Sequence, residues 1–399
     1  MNNHLPDEPL RIVDFSTHMS GPLASHLLME MGADIIKVEH PVQGDGNRGN
    51  EPKLVGVSDL HLALNTGTRS IAVSTRSPHW ADVVAHVTNW ADAVIVGSRP
   101  KDAVRRGLDY ATLLKSNPEL VYCVISGFGL AGPWADYKAH GQTMDAFAGR
   151  VDVDWADDGQ PQTRVGWRSA GTSLAGVFGA MGVLAGIVKR DRGGGPQFVH
   201  ASIWNSAMWW NWRDLNTWAN NDEPWHEYKT LGARYSMYAT ADERALLVCP
   251  LEKVFWGRFC DMAGLDQLRE RGDWTHSMDF GYDDEIPLIA EAVSKKPLDE
   301  WTQLLDDAEI PFAPILTLEE AMNSDHAAVN RVMRGTDVPD GRAYVAASPV
   351  QIGSDADGAA HSDVPDLGPP SNLGADTDQI LQDIGLNGLI GEDLSGGLK

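Results

Sequence analysis

The chain predicts an α/β fold built on an open, largely parallel sheet. Three observations lead there. Leu10–Phe15 (LRIVDF) is a short apolar run, residues 22–31 (PLASHLLMEM) carry apolar side chains at helical spacing, and Asp34–Glu39 (DIIKVE) is apolar again. A strand, a helix and a strand in that order require a crossover, which makes the two strands parallel. The same alternation runs on through Leu120–Ser126, as expected of one open sheet rather than segregated layers. At 399 residues the chain exceeds one typical core, so two domains are expected.

Each element has a local reason. Ser20 suits the N-cap of the first helix, and Pro22 has the fixed φ and missing N–H of a first-turn residue. Gly32 ends that helix. Ser70–Ser74 then reads as strand, Pro78–Trp90 as helix, Ala93–Val96 as strand, Tyr110–Lys115 as helix and Leu120–Ser126 as strand. From Ser169 to Lys189 a long helix carries Gly171, Gly176, Gly179, Gly182 and Gly186. Each interior glycine costs roughly 1 kcal/mol against alanine, so another backbone should pack closely along it. Gln197–Ser202 follows as a strand. Trp204, Trp209, Trp210, Trp212, Trp218 and Trp225 come next, suited to core or subunit packing or to lining an apolar acyl pocket.

Residues 219–230 (ANNDEPWHEYKT) read as linker, and YSMYAT with ALLVCP as a hairpin around Asp242-Glu243. Helices are expected over Lys253–Ala263, Pro297–Ala308 and Leu318–Met322, with Pro311–Ile315 a short strand. After Ser348 the chain turns rich in Asp, Gly, Pro and Ser, an extended surface passage, before an amphipathic helix over Asp376–Ile384. The resulting division is 1–218 for a large domain, 219–234 for a linker, 235–330 for a small domain and 331–399 for a second linker and C-terminal part.

The formal net charge of −24 argues against nucleic-acid partners, whose phosphates need a basic face. A small anionic ligand is still compatible where helix N-termini and local Arg or Lys residues meet it. No apolar run looks long enough to span a bilayer, and residues 1–9 (MNNHLPDEP) lack the pattern of a signal peptide. No membrane is therefore expected, and the location is expected to be cytoplasmic. Cys123, Cys249 and Cys260 lie in apolar stretches without metal-ligand spacing, which suits free thiols in a reducing compartment and no metal.

Gly127-Phe128-Gly129-Leu130-Ala131-Gly132 matches the dinucleotide fingerprint after a strand. Pro133 and Trp134 follow at once, and no second strand ends in an acid at the usual distance, so the context needed for a nicotinamide or flavin is missing. There is no Walker A, zincin or G-x-S-x-G motif. His140 suits either a hydrogen-bonded surface histidine or a catalyst, and Glu252 a helix N-terminal acid. Arg99, Arg105 and Lys138 carry no motif. Residues alone stop at a two-domain α/β protein with a candidate anion site.

Several segments together resemble the family III CoA-transferases, the CaiB/BaiF family. They are LRIVDFSTHMSGPLASHLLMEMGADIIKVEHP, NTGTRSIAV, ADAVIVGSRP with VRRGLDYATLLKSNPELVYCVISGFGLAGPWAD, ALLVCPLEKVFWGRFCDMAGL, IPFAPILTLEEAM and PPSNLGADTDQIL. The resemblance implies a large Rossmann-like domain from both chain ends, a small central α+β domain and an interlocked-ring dimer. It implies CoA or acyl-CoA as substrate, with transfer of CoA to a carboxylic acid. Arg105 resembles the arginine that pairs with the CoA phosphates, and Lys138 a lysine near the thioester. His18, Met19 and Ser20 match the loop that touches CoA, and His40 a basic position near the nucleotide. Gly97 and Ser98 replace the usual Asn-Phe.

The main departure is at the nucleophile. The family keeps a Gly-Asp pair before the glycine helix, whereas Gly166 is followed by Trp167. An indole has no lone pair suited to attacking a thioester and no usable titratable proton. Gly141 also replaces an acid that the family often has there. The resemblance therefore implies a degenerate site, or a paralogous partner carrying the Asp, in a homodimer or heterodimer. Its racemase branch implies another use: His140 as a base for the proton α to a thioester, with Glu252 as its orienting partner. A racemase, isomerase or lyase, or a CoA-binding protein without turnover, are the alternatives.

Overall fold

The computed structural model describes residues 8–54, 56–163, 168–221, 232–338, 341–352 and 367–398. The chain divides into two compact units, Met1–Trp212 with Val329–Lys399, and Arg213–Ala328. Trp167, Trp225, most of the expected 219–234 linker and part of the passage after Ser348 lie outside the described residues.

The first unit is built on six strands: β1 (Arg11–Asp14), β2 (Asp34–Glu39), β3 (Arg69–Ala72), β4 (Ala93–Val96), β5 (Val121–Ser126) and β6 (Gln197–Ser202). Their order is β6-β5-β4-β1-β2-β3 and every pairing is parallel. Read from the other edge this is 3-2-1-4-5-6, the doubly wound order, which reverses direction between β1 and β4. The central strands are buried on both faces, which is why β4 is AVIV and β5 VYCVIS.

Alternate residues feed two cores. Val13, Ile36, Val94 and Tyr122 face one side, with Val83 and Val87 of α3 (Trp80–Trp90) and Ile380 and Leu381 of the terminal helix Thr377–Asp383. Ile12, Ile35, Ile95 and Cys123 face the other, with Leu28 of α1 (Ser20–Glu30) and Ala175 and Val183 of α7 (Ala170–Lys189). Between these run α2 (Asp59–Asn65), α4 (Pro100–Arg106), α5 (Tyr110–Leu113) and α6 (Gly141–Phe147); α8 (Ile203–Trp210) follows β6. The C-terminal segment is tied to β3, where the Ser70 N–H donates to Asp376 Oδ2 at 2.8 Å.

Helix α7 has the backbone neighbours that its glycines require. A Cβ at Gly176 would stand 2.9 Å from the Ser20 carbonyl oxygen, and one at Gly171 would stand 2.8 Å from that of Ile203. Read through to Gly194, this helix is long and apolar enough to cross a membrane by length and composition, against the expectation that no run reaches that length. One face of it is core all the same, taken up by α1, β5, β6 and α8.

The second unit has a three-stranded antiparallel sheet of Ser236–Ala239, Ala245–Val248 and Phe312–Pro314, with Ala245–Val248 in the middle. Helices Lys253–Ala263, Ile286–Val293 and Leu298–Asp307 pack around Trp256, Phe259 and Trp301. A buried Arg234–Glu285 pair at 2.7 Å is stacked on the Trp256 ring.

Candidate functional site

In doubly wound sheets a ligand crevice opens beyond the carboxyl ends of the strands, where the order reverses. Here β1 leads through residues 15–19 into α1, and β4 leads through Gly97 and Ser98 into α4. The two turns touch: a Cβ at Gly97 would lie 2.7 Å from the Ser16 Cβ. That contact is the physical reason for a glycine at this turn.

Below the β1 loop lies a buried ionic network. Lys37 of β2 is fully enclosed, with its Nζ 3.0 Å from Asp14 Oδ2, 2.9 Å from Asp45 Oδ2 and 3.2 Å from the Ser16 carbonyl. Burial pulls the ammonium pKa down, but Asp14, Asp45 and Glu39 outweigh it and hold it above the ordinary lysine value. Burial raises Asp45, yet Lys37 and the Asn47 and His18 N–H groups leave it below the usual carboxylate range. Glu39 is lowered for the same kind of reason, with Arg48 as its main partner at 2.6 Å.

This network fixes the loop that the resemblance assigns to CoA. Asp14 accepts from the Ser16 N–H at 2.7 Å, and Asp45 Oδ1 accepts from the His18 N–H at 3.0 Å. His18 sits in the left-handed region at φ 69°. His18 and Met19 are exposed, whereas Ser20 is buried and donates to the Thr172 carbonyl at 2.9 Å. The start of α1 is thereby bonded to the first turn of α7.

His140 belongs to the same place. The segment between β5 and α6 has no regular structure, so the Gly127–Gly132 loop opens no helix and the dinucleotide fingerprint fails on geometry too. Aromatic contacts pin it: Phe128 on Phe147 at 5.1 Å, Trp134 on Phe147 at 5.0 Å and Trp134 on Trp204 at 5.8 Å. Arg99 at the head of α4 adds a bond from Nη1 to the Asp136 carbonyl at 3.2 Å. His140 then occupies the N-cap of α6 and is exposed, its ring edge-to-face with His18 at 6.2 Å between centroids.

Behind His140 is a carboxylate that sequence reasoning missed. Asp145 of α6 is fully buried and accepts from the Gly171 N–H at 3.1 Å and from the Ser169 hydroxyl. It thus doubles the N-cap of α7, where Ser169 Oγ accepts from the Thr172 N–H at 3.3 Å. A Cβ at Gly141 would lie 2.7 Å from Thr172 Oγ1, so α6 sits closely on α7 at this glycine.

The other expected residues stand further out. Arg105 on α4 is 71% exposed, held by Asp102 at 2.8 Å. Lys138 is exposed on the segment before His140. His40 is exposed, and its Nδ1 accepts from the Val42 and Gln43 N–H groups at 3.3 and 3.2 Å. Glu252 is half-buried at the N-cap of the helix Lys253–Ala263 in the second unit. The structure therefore brings His18, Met19, Ser20 and His140 into one neighbourhood of the first unit. Of the tryptophans, Trp209, Trp210 and Trp212 are about half exposed and not core, while Trp204 joins the cluster near His140. Lys37 had a legible signal, a charge inside an apolar strand. Asp145 had none, because its partners are 24 and 26 residues away.

Comparison with known proteins agrees with this architecture. The family model for CoA-transferase family III matches residues 8–370. Among curated proteins, the acetyl-CoA:oxalate CoA-transferase of Acetobacter aceti is 27% identical over 87% of this chain and 89% of its own. The succinyl-CoA–L-malate CoA-transferase beta subunit of Chloroflexus aurantiacus is 24% identical over 95% of this chain and 94% of its own. Among solved structures, a CAIB/BAIF family protein from Brucella suis superposes with a TM-score of 0.74 at 21% identity, covering 95% of this chain and 99% of that one. A crystal structure of Rv3272 from M. tuberculosis gives 0.79 at 23% identity, covering 94% and 99%. With a parallel doubly wound sheet and a family match over most of its length, this chain belongs to CoA-transferase family III.

Proposed function

We propose that the protein binds an acyl-CoA at the β1/β4 crevice and takes part in CoA transfer to a carboxylic acid, with the attacking carboxylate supplied by a second, Asp-bearing chain. The reading rests on Trp167, the residue that the family resemblance matches to the nucleophile position. His18, Met19 and Ser20 lie where a switch-point ligand would meet the β1 loop. The N-terminus of the 11-residue α1 and the exposed Arg105 suit the phosphates of CoA. A relative whose name is that of a beta subunit is consistent with a heteromer. The outward side of α7, with Val177, Met181 and Val188 exposed, suits a second chain of the same family.

Incubation of the purified protein with acetyl-CoA or succinyl-CoA and a panel of acceptor acids tests this. Transfer should be absent from the chain alone and appear when an Asp-bearing family member is added, with hydroxylamine trapping the acyl group on that partner. Transfer by the isolated chain through a trapped acyl-enzyme overturns the reading.

A second reading is favoured by one observation, the exposed His140 imidazole against that of His18. His140 would remove and return the proton α to the thioester, a step that typically contributes about 10²–10⁴ in rate. It predicts exchange of the acyl α-hydrogen with deuterated water, abolished by His140→Ala. Equal exchange in that variant removes it.

A further inference from the structure

His18 is held more completely than a loop residue needs to be. Its left-handed backbone is unusual for a side chain with a Cβ, and such outliers persist only where their surroundings over-determine them. Three consecutive residues do so. Asp45 accepts the His18 N–H at 3.0 Å, Asn47 donates its side-chain amide to the His18 carbonyl, and Gly46 supplies the bare surface under the ring. A Cβ at Gly46 would stand 2.8 Å from the His18 Nδ1 and closer still to Cε1. Asp45 is itself fixed by the enclosed Lys37, and its Oδ1 also accepts the Asn47 N–H at 2.9 Å. Backbone donor, backbone acceptor and ring of His18 thus each have a fixed partner. The ring is left exposed, facing His140.

We propose that Asp45, Gly46 and Asn47, anchored by Lys37, form a positioning cradle that presents the His18 imidazole to the thioester end of a bound acyl-CoA. This rests on the reading of the β1/β4 crevice as an acyl-CoA site. The cradle residues act through His18 and need not touch the ligand. A turn that merely completed the fold would have no reason to hold an exposed ring in one orientation by all three of its attachments.

Gly46→Ala is the discriminating variant. Gly46 does not have a positive φ, so alanine suits its backbone, and the Lys37–Asp45 pair is untouched, yet the new methyl occupies the space of the His18 ring. Acetyl-CoA binding is measured by calorimetry on the wild-type chain, Gly46→Ala, His18→Ala and the double variant. Each single variant should weaken binding by about tenfold or more, and the double variant should be no weaker than the worse single one, because both changes remove the same ring contact. Wild-type affinity in Gly46→Ala, or losses that multiply in the double variant, overturns the cradle. Absence of acetyl-CoA binding by the wild-type chain overturns the acyl-CoA reading instead. The cradle is then read without ligand, from the nuclear Overhauser contact between the His18 and His140 rings. Gly46→Ala should abolish it, and an unchanged contact overturns the proposal.

Discussion

His61 lies on α2 with 1% of its surface exposed, its Nδ1 3.1 Å from the Asn65 amide and its Nε2 without a hydrogen-bond partner among the described residues. Burial first, and the Arg48 charge second, push its pKa down from 6.5 to about 4. Between those values the unfolded chain binds a proton that the folded chain refuses. The associated stability is complete above pH 6.5 and is lost as pH falls to about 4. The slope has an upper bound of about 1.4 kcal/mol per pH unit. Urea midpoints at pH 7, 6 and 5 should therefore fall less steeply for His61→Gln than for the wild type, and parallel curves would show that His61 is not the group responsible. Asp145 gives a second prediction. Asp145→Ala removes the acceptor for the buried Gly171 N–H and one partner of the half-buried Ser169 hydroxyl. One buried N–H left without an acceptor should cost about 1–3 kcal/mol in a denaturant titration.

Helix α7 shows how tertiary approach overrides intrinsic preference. Gly176→Ala should gain roughly 1 kcal/mol of helix propensity, but its Cβ would stand 2.9 Å from both the Ser20 carbonyl and the Leu23 Cβ. Overpacking typically costs about 1–3 kcal/mol, and a backbone carbonyl cannot swing aside as a side-chain tip can. Net destabilisation is expected in thermal melts, with weaker acetyl-CoA binding because Ser20 is the start of α1. A stabilised Gly176→Ala protein would refute the close approach. This packing was legible in the sequence, since a helix bearing Gly171, Gly176, Gly179, Gly182 and Gly186 makes sense only against another backbone. The strands were legible too, as short apolar runs punctuated by turn residues. Helix α6 was not, because GQTMDAF has neither an apolar period nor a strong cap residue ahead of it. Nor was the cradle under His18: the loop residues were visible through family resemblance, but the contacts of His18 with Asp45 and Asn47 span 27 and 29 residues of chain. Such pairings follow from the sheet order, and local pattern carries no trace of them.

At the scale of the molecule, the first unit presents apolar side chains that are left exposed among the described residues. Met181 is 58% exposed on α7 and Trp209 51% on α8, with Trp209 edge-on to Phe178 at 5.1 Å. Val177 and Val188 lie along the same outward side of α7. An exposed apolar stripe on a core helix has a cost in water that a partner surface removes, and the proposed occupant is a second family III chain. Val177→Glu with Met181→Glu places two charges on that stripe while leaving the buried face of α7 intact. If the stripe is an interface, the double variant should raise the dissociation constant of the assembly at least about a hundredfold in sedimentation velocity, since two desolvated charges without partners cost several kcal/mol. The partner's identity separates two cases. Self-association of the wild-type chain, lost in the variant, supports a homodimer. A wild-type chain that stays monomeric until an Asp-bearing relative is added supports the proposed heteromer. A variant that assembles as tightly as the wild type would remove α7 from the interface and leave its apolar side without that explanation.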